Sequence, residues 1–346
     1  MTRFHSFKTA RLLLWAAALL GVGTYAMAQS KPKAAATPMK LLVFSKTKGF
    51  RHSSIPVGKA AIMKMGSEKG FAVDTTEDAS KFTEQNLRQY RAVVFLSTTG
   101  DVLNNAQQAD FERYIQSGGG FVGIHAATDT EYDWPWYNKL VGAYFASHPG
   151  NPNVQKGMMH VLDKNHPSTA ELPDQFERTD EFYDFKSYQK DLVKPLIRVD
   201  EKTYKEGKMG DFHPMSWYHE YDGGRVFYTN FGHTEQTFAE PLFLKHLWGG
   251  IRYVTSGPAV DYAKAKTMRA PEENRFTKTV LSAKLDEPTE LTVLDGGKVL
   301  FVERKGAVKL YDPKTQQTKL AAQIPVYSKF EYGLMGVNVD ADFAQN

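Results

Sequence analysis

Three histidines far apart in the chain each stand in the segment that follows a short apolar run. His52 closes Gly49-Phe50-Arg51-His52, His125 follows Gly123-Ile124, and His233 follows Phe231-Gly232. Imidazole is the commonest metal ligand and the commonest acid–base group near neutral pH. If the three meet at one sheet edge, the chemistry open to them is binding of a divalent metal such as zinc, or general acid–base catalysis. His125 is the strongest candidate, because a strand followed by small residues resembles a nucleophile elbow, where a sharp turn presents one side chain. The position holds His, so acyl transfer by Ser or Cys is not expected there. His52 reads equally well as a helix-entry residue bonded to backbone. Gly232 lets backbone approach a ligand closely beside His233. His148, before Pro149, either joins the site or holds a loop.

Among the carboxylates, Asp129 lies in the loop after His125, where it could orient the ring or act as a base. Asp180 and Glu181 stand next to Tyr183 in Thr179-Asp-Glu-Phe-Tyr183. For that pair a solvated strand edge competes with catalysis. Arg51 and Thr99, in the loops after the first and third apolar runs, are candidate substrate contacts, as is Tyr183. Trp134, with Trp136 and Tyr137, could be a stacking platform for a sugar ring or simply core. The candidate set is therefore His125, Asp129 and Glu181 for catalysis. Arg51, Thr99, Trp134, His148 and Tyr183 are candidates for substrate, and His52, His125 and His233 for metal. No phosphate-loop, zinc-helix or dinucleotide-loop signature occurs.

The elements that must position these residues are legible as buried runs. Leu41–Phe44, Ala92–Leu96 and Phe121–Ile124 are continuous apolar segments, and Phe71–Val73 is a shorter one. Helical stretches lie between them: one from Ser53 or Ser54 to about Gly70, a short one over 84–90, and one capped by Asn104 or Asn105. Unbroken apolar strands alternating with helices predict a mainly parallel sheet with helices on both faces. Ligands then bind beyond the carboxyl ends of the strands, where the histidines stand. Past residue 155 the strands expected over 158–162, 196–199, 215–221 and 225–229 show some alternation. A closing helix follows over 242–254.

Residues 1–28 predict an export signal: Arg3, Lys8 and Arg11, then an apolar stretch, then Ala26-Met27-Ala28. The protein is thus expected in the periplasm or secreted, with no membrane span after cleavage. Residues 29–39 read as a flexible lead-in. The chain has 43 Lys+Arg and 39 Asp+Glu. Setting aside the three basic residues of the signal leaves 40 against 39, which gives no bulk attraction to nucleic acid. There are no cysteines, which excludes disulfides, thiolate metal sites and a cysteine nucleophile. Residues 40–257 form one expected domain and 258–275 a polar linker. Residues 276–346 read as an all-β meander with three short strands at 290–294, 298–302 and 307–311. That is one propeller blade, the front of a longer protein.

Four stretches resemble a known family: Lys48-Gly-Phe-Arg-His52, Gly118-Gly-Gly-Phe-Val-Gly-Ile-His125, Asp180-Glu-Phe-Tyr183 and Gly224-Arg-Val-Phe-Tyr-Thr-Asn-Phe-Gly-His233. They are similar to the ThuA-like (trehalose utilisation) domain. The resemblance implies a flavodoxin-like sheet of the class I glutamine amidotransferase-like type, and an association with sugar uptake and breakdown. In amidotransferases a cysteine occupies the elbow; His125 in its place argues against glutamine hydrolysis. Tyr332-Gly-Leu-Met-Gly336, with Asp340, Asp342 and Phe343, resembles the opening of a glucose/sorbosone dehydrogenase-like propeller. Such propellers are similar to quinoproteins that use pyrroloquinoline quinone (PQQ), which this fragment is not expected to bind. The expected function is isomerase, lyase or hydrolase chemistry on a sugar or keto-sugar. The alternative is a non-catalytic sugar-binding module that presents substrate to the propeller. The oligomeric state is left open.

Overall fold

The computed structural model describes residues 39–269, 277–343 and 345. The expected signal (1–28) and all of the lead-in except Met39 lie outside the described residues. The chain divides into two compact units, at Arg269 and Ala270.

The first unit runs β1 (Lys40–Phe44), α1 (Ile55–Lys69), β2 (Ala72–Thr76), α2 (Glu84–Leu87), β3 (Ala92–Leu96), α3 (Asn105–Gln116), β4 (Gly120–Ile124) and α4 (Pro135–Val141). It continues with β5 (Tyr144–Ser147), β6 (Val154–Val161), β7 (Gln175–Glu181), β8 (Asp184–Lys186), β9 (Lys194–Asp200), β10 (His213–Tyr221), β11 (Gly224–Thr229) and α5 (Pro241–Thr255). Nine strands form one sheet in the order β2-β1-β3-β4-β11-β10-β9-β6-β7. The half from β2 to β11 is parallel. From β11 to β7 every pairing is antiparallel. The change follows from connection length: Asp222-Gly223 is a two-residue turn, which can join only antiparallel neighbours, whereas the parallel strands are linked through helices.

All five residues of β3 and of β4 are buried, as unbroken apolar runs require when both faces are covered. Alternation then assigns the faces. Phe95 and Phe121 touch Phe111 of α3 and Tyr137 of α4. Leu96 and Phe227 point the other way, toward Gly58 of α1 and Gly250 of α5. At Gly250 a Cβ would stand 2.3 Å from the Phe227 ring, so only glycine lets α5 lie this close.

Several local features differ from expectation. Asn104 does cap α3, through a reciprocal capping box with Gln107. Ser54 precedes α1 but makes no side-chain cap; its hydroxyl donates instead to the Gly232 carbonyl at 2.8 Å. β7 and β8 carry too many polar residues to stand out as apolar runs, and β5 is only four residues long. In the expected linker (258–275), the residues up to Arg269 belong to the first unit. Asp261 N–H donates to the Ser117 carbonyl, Lys266 and Thr267 N–H to Gln116, and Arg269 pairs with Asp110 at 2.8 Å.

The second unit is a four-stranded antiparallel meander: β12 (Pro288–Val293), β13 (Val299–Glu303), β14 (Ala307–Asp312) and β15 (Gln317–Gln323). β15 is exposed along its whole length and largely polar. It therefore gives no apolar signal beyond the three runs seen in the sequence. Four strands are the complement of one propeller blade. Among the described residues no helix is long and apolar enough to cross a membrane.

Candidate functional site

The three histidines meet. His52 follows β1, His125 follows β4 and His233 follows β11, so each leaves the carboxyl end of a parallel strand. Glu181, the last residue of β7, joins them. One ligand atom from each of the four lies within 4.8 Å of the others. His52, His125 and Glu181 are buried, and His233 is half-buried. The ring centroids of His52 and His125 are 4.7 Å apart, those of His52 and His233 5.2 Å, and those of His125 and His233 5.1 Å.

Backbone geometry explains the convergence. His125 has φ +50°, a left-handed conformation that a non-glycine residue adopts only where its surroundings hold it. It turns the chain at the end of β4, as an elbow does. Its Nδ1 lies 2.7 Å from the Asn230 carbonyl. A carbonyl only accepts, so Nδ1 donates to it and Nε2 is the nitrogen turned toward the cluster. Nε2 lies 3.1 Å from His233 Nδ1 and 3.4 Å from Glu181 Oε2.

Asp180 is the anchor beneath. It is fully buried. Its carboxylate accepts from the N–H groups of Gly232 and His233, both at 3.1 Å, and from that of Glu181 at 3.0 Å. It also takes the Thr237 hydroxyl at 3.0 Å and the Arg178 guanidinium at 3.1 Å. Gly232 sits at φ +123°, which suits glycine alone. This brings two successive N–H groups onto one carboxylate and aims His233 at the cluster. The hydrogen bond from the Ser54 hydroxyl to the Gly232 carbonyl ties the His52 loop to the same corner.

The electrostatics suit a cation. Burial, reinforced by His125 and His233, pushes His52 down to about 2, so it is a neutral donor. Its Nδ1 is buried without a hydrogen-bond partner. Burial resists ionisation of Glu181, but the hydrogen bonds and charge of His125 and His233 hold its carboxyl well below the usual range. For His233 burial opposes protonation, and the Glu181 bond and charge outweigh it, with Asp180 and Glu235 adding, so it is raised. Three imidazoles and a carboxylate form a donor set that zinc-class ions accept.

The remaining candidates separate. Tyr183 belongs to the site: its hydroxyl is 3.5 Å from His52 Nε2 and its ring centroid 4.3 Å from that of His125. His148 stands at the rim, 37% exposed, with Nδ1 3.6 Å from Glu181 Oε1. Asp129 accepts from the Tyr132 hydroxyl at 2.6 Å, and burial raises it against that bond and the charge of His125. It lies near His125 but outside the donor set. Arg51 is held by Glu77 through two bonds of 2.8 and 2.9 Å. Thr99 is buried, with its hydroxyl between the Gly49 N–H and the Phe50 carbonyl; it shapes the His52 loop and meets no solvent. Trp134 is elsewhere. Its indole donates to Glu112, and it stacks on Trp136, which donates to Asp222. Asp222 precedes β11, at the opposite end of that strand from His233, so the aromatic pair is core and not a platform at this site.

Asn153 was not visible from sequence. Its amide donates to Glu181 Oε1 at 2.6 Å and lies 3.4 Å from His233 Nε2. Nothing around Asn151-Pro-Asn153 marks it, because its partners are 28 and 80 positions away.

Comparisons with known proteins speak to family and fold. The ThuA (trehalose utilisation) family model matches residues 40–254. The chain belongs to the ThuA family. Residues 285–346 match the glucose/sorbosone dehydrogenase family model. A ThuA-like protein from Bacteroides uniformis is 26% identical with a TM-score of 0.55; the match covers 64% of this chain and 93% of that one. A ThuA-like protein from Parabacteroides merdae is 19% identical with a TM-score of 0.52, covering 66% of this chain and all of that one. The second likeness speaks to fold alone. No curated protein matches the chain. All four stretches quoted for the resemblance fall inside the ThuA match, and each carries one of the four cluster residues.

Proposed function

We propose that the ThuA domain is a metal-dependent enzyme domain that acts on a sugar or keto-sugar outside the cytoplasm. The observation that carries this reading is the convergence of His52, His125, His233 and Glu181 within 4.8 Å. Lone pairs and a carboxylate brought this close repel one another unless a cation or protons lie between them. The proton on His125 Nδ1, fixed by a backbone carbonyl, is the arrangement that orients metal-binding histidines. A divalent ion held there would polarise a hydroxyl or carbonyl oxygen. The chain's own groups supply the rest. Asn153 and His148 are placed to bond hydroxyls at the rim. His148, more than a third exposed, meets solvent at that rim. Isomerase, lyase and hydrolase steps beside a carbonyl all use this combination. The adjoining glucose/sorbosone dehydrogenase match supports a sugar as the substrate class, and the basic, apolar and Ala-x-Ala succession of residues 1–28 supports export.

A second reading, acid–base catalysis without metal, is favoured by one contact: His233 Nδ1 lies 2.9 Å from Glu181 Oε2. The two separate in one experiment. The chain is purified without chelator or polyhistidine tag, and bound metals are measured by mass spectrometry beside His125→Ala and His233→Ala. Near-stoichiometric zinc or another divalent ion, lost in both variants, is the expected result. A metal-free wild-type protein that also refuses added zinc would overturn the metal reading and leave the acid–base one.

A further inference from the structure

Phe50 combines exposure with rigidity at the mouth of the cluster. It is 66% exposed, two residues before His52. Its backbone is fixed from several sides. Lys48 N–H donates to the Thr99 carbonyl at 2.7 Å, Gly49 N–H to the Thr99 hydroxyl at 3.1 Å, and that hydroxyl to the Phe50 carbonyl at 3.0 Å. The next residue, Arg51, is clamped by Glu77. The Phe50 ring stands perpendicular to His52, at 86° with centroids 4.8 Å apart. A single exposed apolar side chain is ordinary. One held this firmly, against a buried polar cluster, is placed to meet a ligand.

Resting on the sugar reading above, we propose that Phe50 is the platform on which the substrate's sugar ring lies. A pyranose has a face of C–H bonds that packs on an aromatic ring, and a rim of hydroxyls that needs polar partners. The neighbours supply both: Phe50 the apolar face, and the solvent-reaching His233 and His148, with Asn153, the hydrogen bonds. Sites for small polar ligands join these same elements, an apolar surface and a few convergent polar groups. This role falls to Phe50 and not to Trp134, whose ring is packed in the core.

The test uses the full zinc-supplemented chain with glucose, trehalose and the keto-sugar fructose as probes. Wild type, Phe50→Ala and Phe50→Trp are compared by saturation-transfer NMR, with zinc content and melting temperature measured for each. The expected result is saturable binding of at least one sugar to the wild type, weakened about three- to tenfold in Phe50→Ala, the usual size of an aromatic contact. Phe50→Trp restores it, and zinc content and melting temperature stay unchanged. Equal affinity in Phe50→Ala overturns the platform and leaves the sugar reading standing. So does an equal loss in Phe50→Trp, since a larger aromatic should serve as well. No saturable binding of any probe to the wild type overturns the sugar reading, and the platform with it. Saturable binding of an apolar peptide in place of the sugars has the same meaning.

Discussion

Replacing Asp180 by Asn removes one charge and leaves the shape almost unchanged, which makes it a sharp test of the anchor beneath His233. One carboxylate oxygen, Oδ1, accepts two backbone N–H groups, from Glu181 at 3.0 Å and His233 at 3.1 Å. The other, Oδ2, accepts from Gly232 N–H, the Thr237 hydroxyl and Arg178. An asparagine amide has one oxygen and one NH2. Whichever way it turns, its NH2 faces at least two donors. The Arg178 side chain is 2% exposed and keeps Glu240 at 2.7 Å, the Thr237 hydroxyl at 3.0 Å and the rings of Phe231 and Phe243. Removing one partner of a buried ion pair costs about 3–5 kcal/mol, and the surviving Glu240 contact places Asp180→Asn near the lower end. For a unit of this size about 3 kcal/mol is a fall of about 6–12 °C in melting temperature. Urea unfolding followed by tryptophan fluorescence, with chelator present so that metal plays no part, measures it. Glu177→Gln is the control: Glu177 pairs with Lys156 on the surface, both more than half exposed, and such pairs contribute about 0–1 kcal/mol. A loss below about 1 kcal/mol in Asp180→Asn, or one matched by the control, would refute the account of Asp180 as the anchor.

Two further outcomes follow from the same geometry. Burial holds three histidines away from the cluster in the neutral form, His246 near 3 and His166 and His219 near 4. Their folded values lie below the unfolded value of about 6.5, so the unfolded chain takes up protons first. The stability these histidines contribute is intact above about pH 6.5 and is lost as pH falls toward 4, by about 2 kcal/mol for each at pH 5. Urea midpoints compared at pH 7 and pH 5 should fall accordingly; a rise on acidification would contradict the sign. Asn153→Ala should weaken zinc binding about 10- to 100-fold, as loss of a group that orients a ligand does, because its amide holds Glu181 Oε1. Equilibrium dialysis reads the affinity directly, and an unchanged constant would remove Asn153 from the site.

The two units differ in how they bury surface. In the ThuA domain helices cover both faces of the parallel half-sheet, and Phe44, Phe82, Phe95, Phe111 and Phe121 form a continuous aromatic core. In the four-stranded unit the buried side chains among the described residues are Phe301, Val302, Glu303 and Tyr311, and Leu291, Val293 and Leu320 are more than half exposed. A lone antiparallel sheet leaves both faces open, and propeller blades cover theirs by packing against neighbouring blades.

The sequence by itself determined the parallel half of the sheet, because β1, β3 and β4 are apolar on both faces and nothing else accommodates such runs. It also set His52 and His125 at one edge, since both follow strands of that half and parallel strands share a direction; the parallel pairing of β11 with β4, which brings His233 to the same edge, is a matter of tertiary structure. Tertiary structure alone decided the fourth member of the cluster. Glu181 ends an antiparallel strand at the far edge of the sheet, and only the path of Phe182 and Tyr183 back toward Asn230 brings it in. Glu181 stands among the catalytic candidates in the sequence, but nothing in its local spacing separates it from adjacent Asp180 or places it with the three histidines. Alternation along a strand sends neighbouring side chains in opposite directions. Asp180 therefore turns to Arg178 and the Gly232 backbone, and Glu181 turns to the histidines. The same limit hid Asn153 and misplaced Trp134. A side chain's partners depend on which distant segment packs beside it, and local spacing carries no record of that.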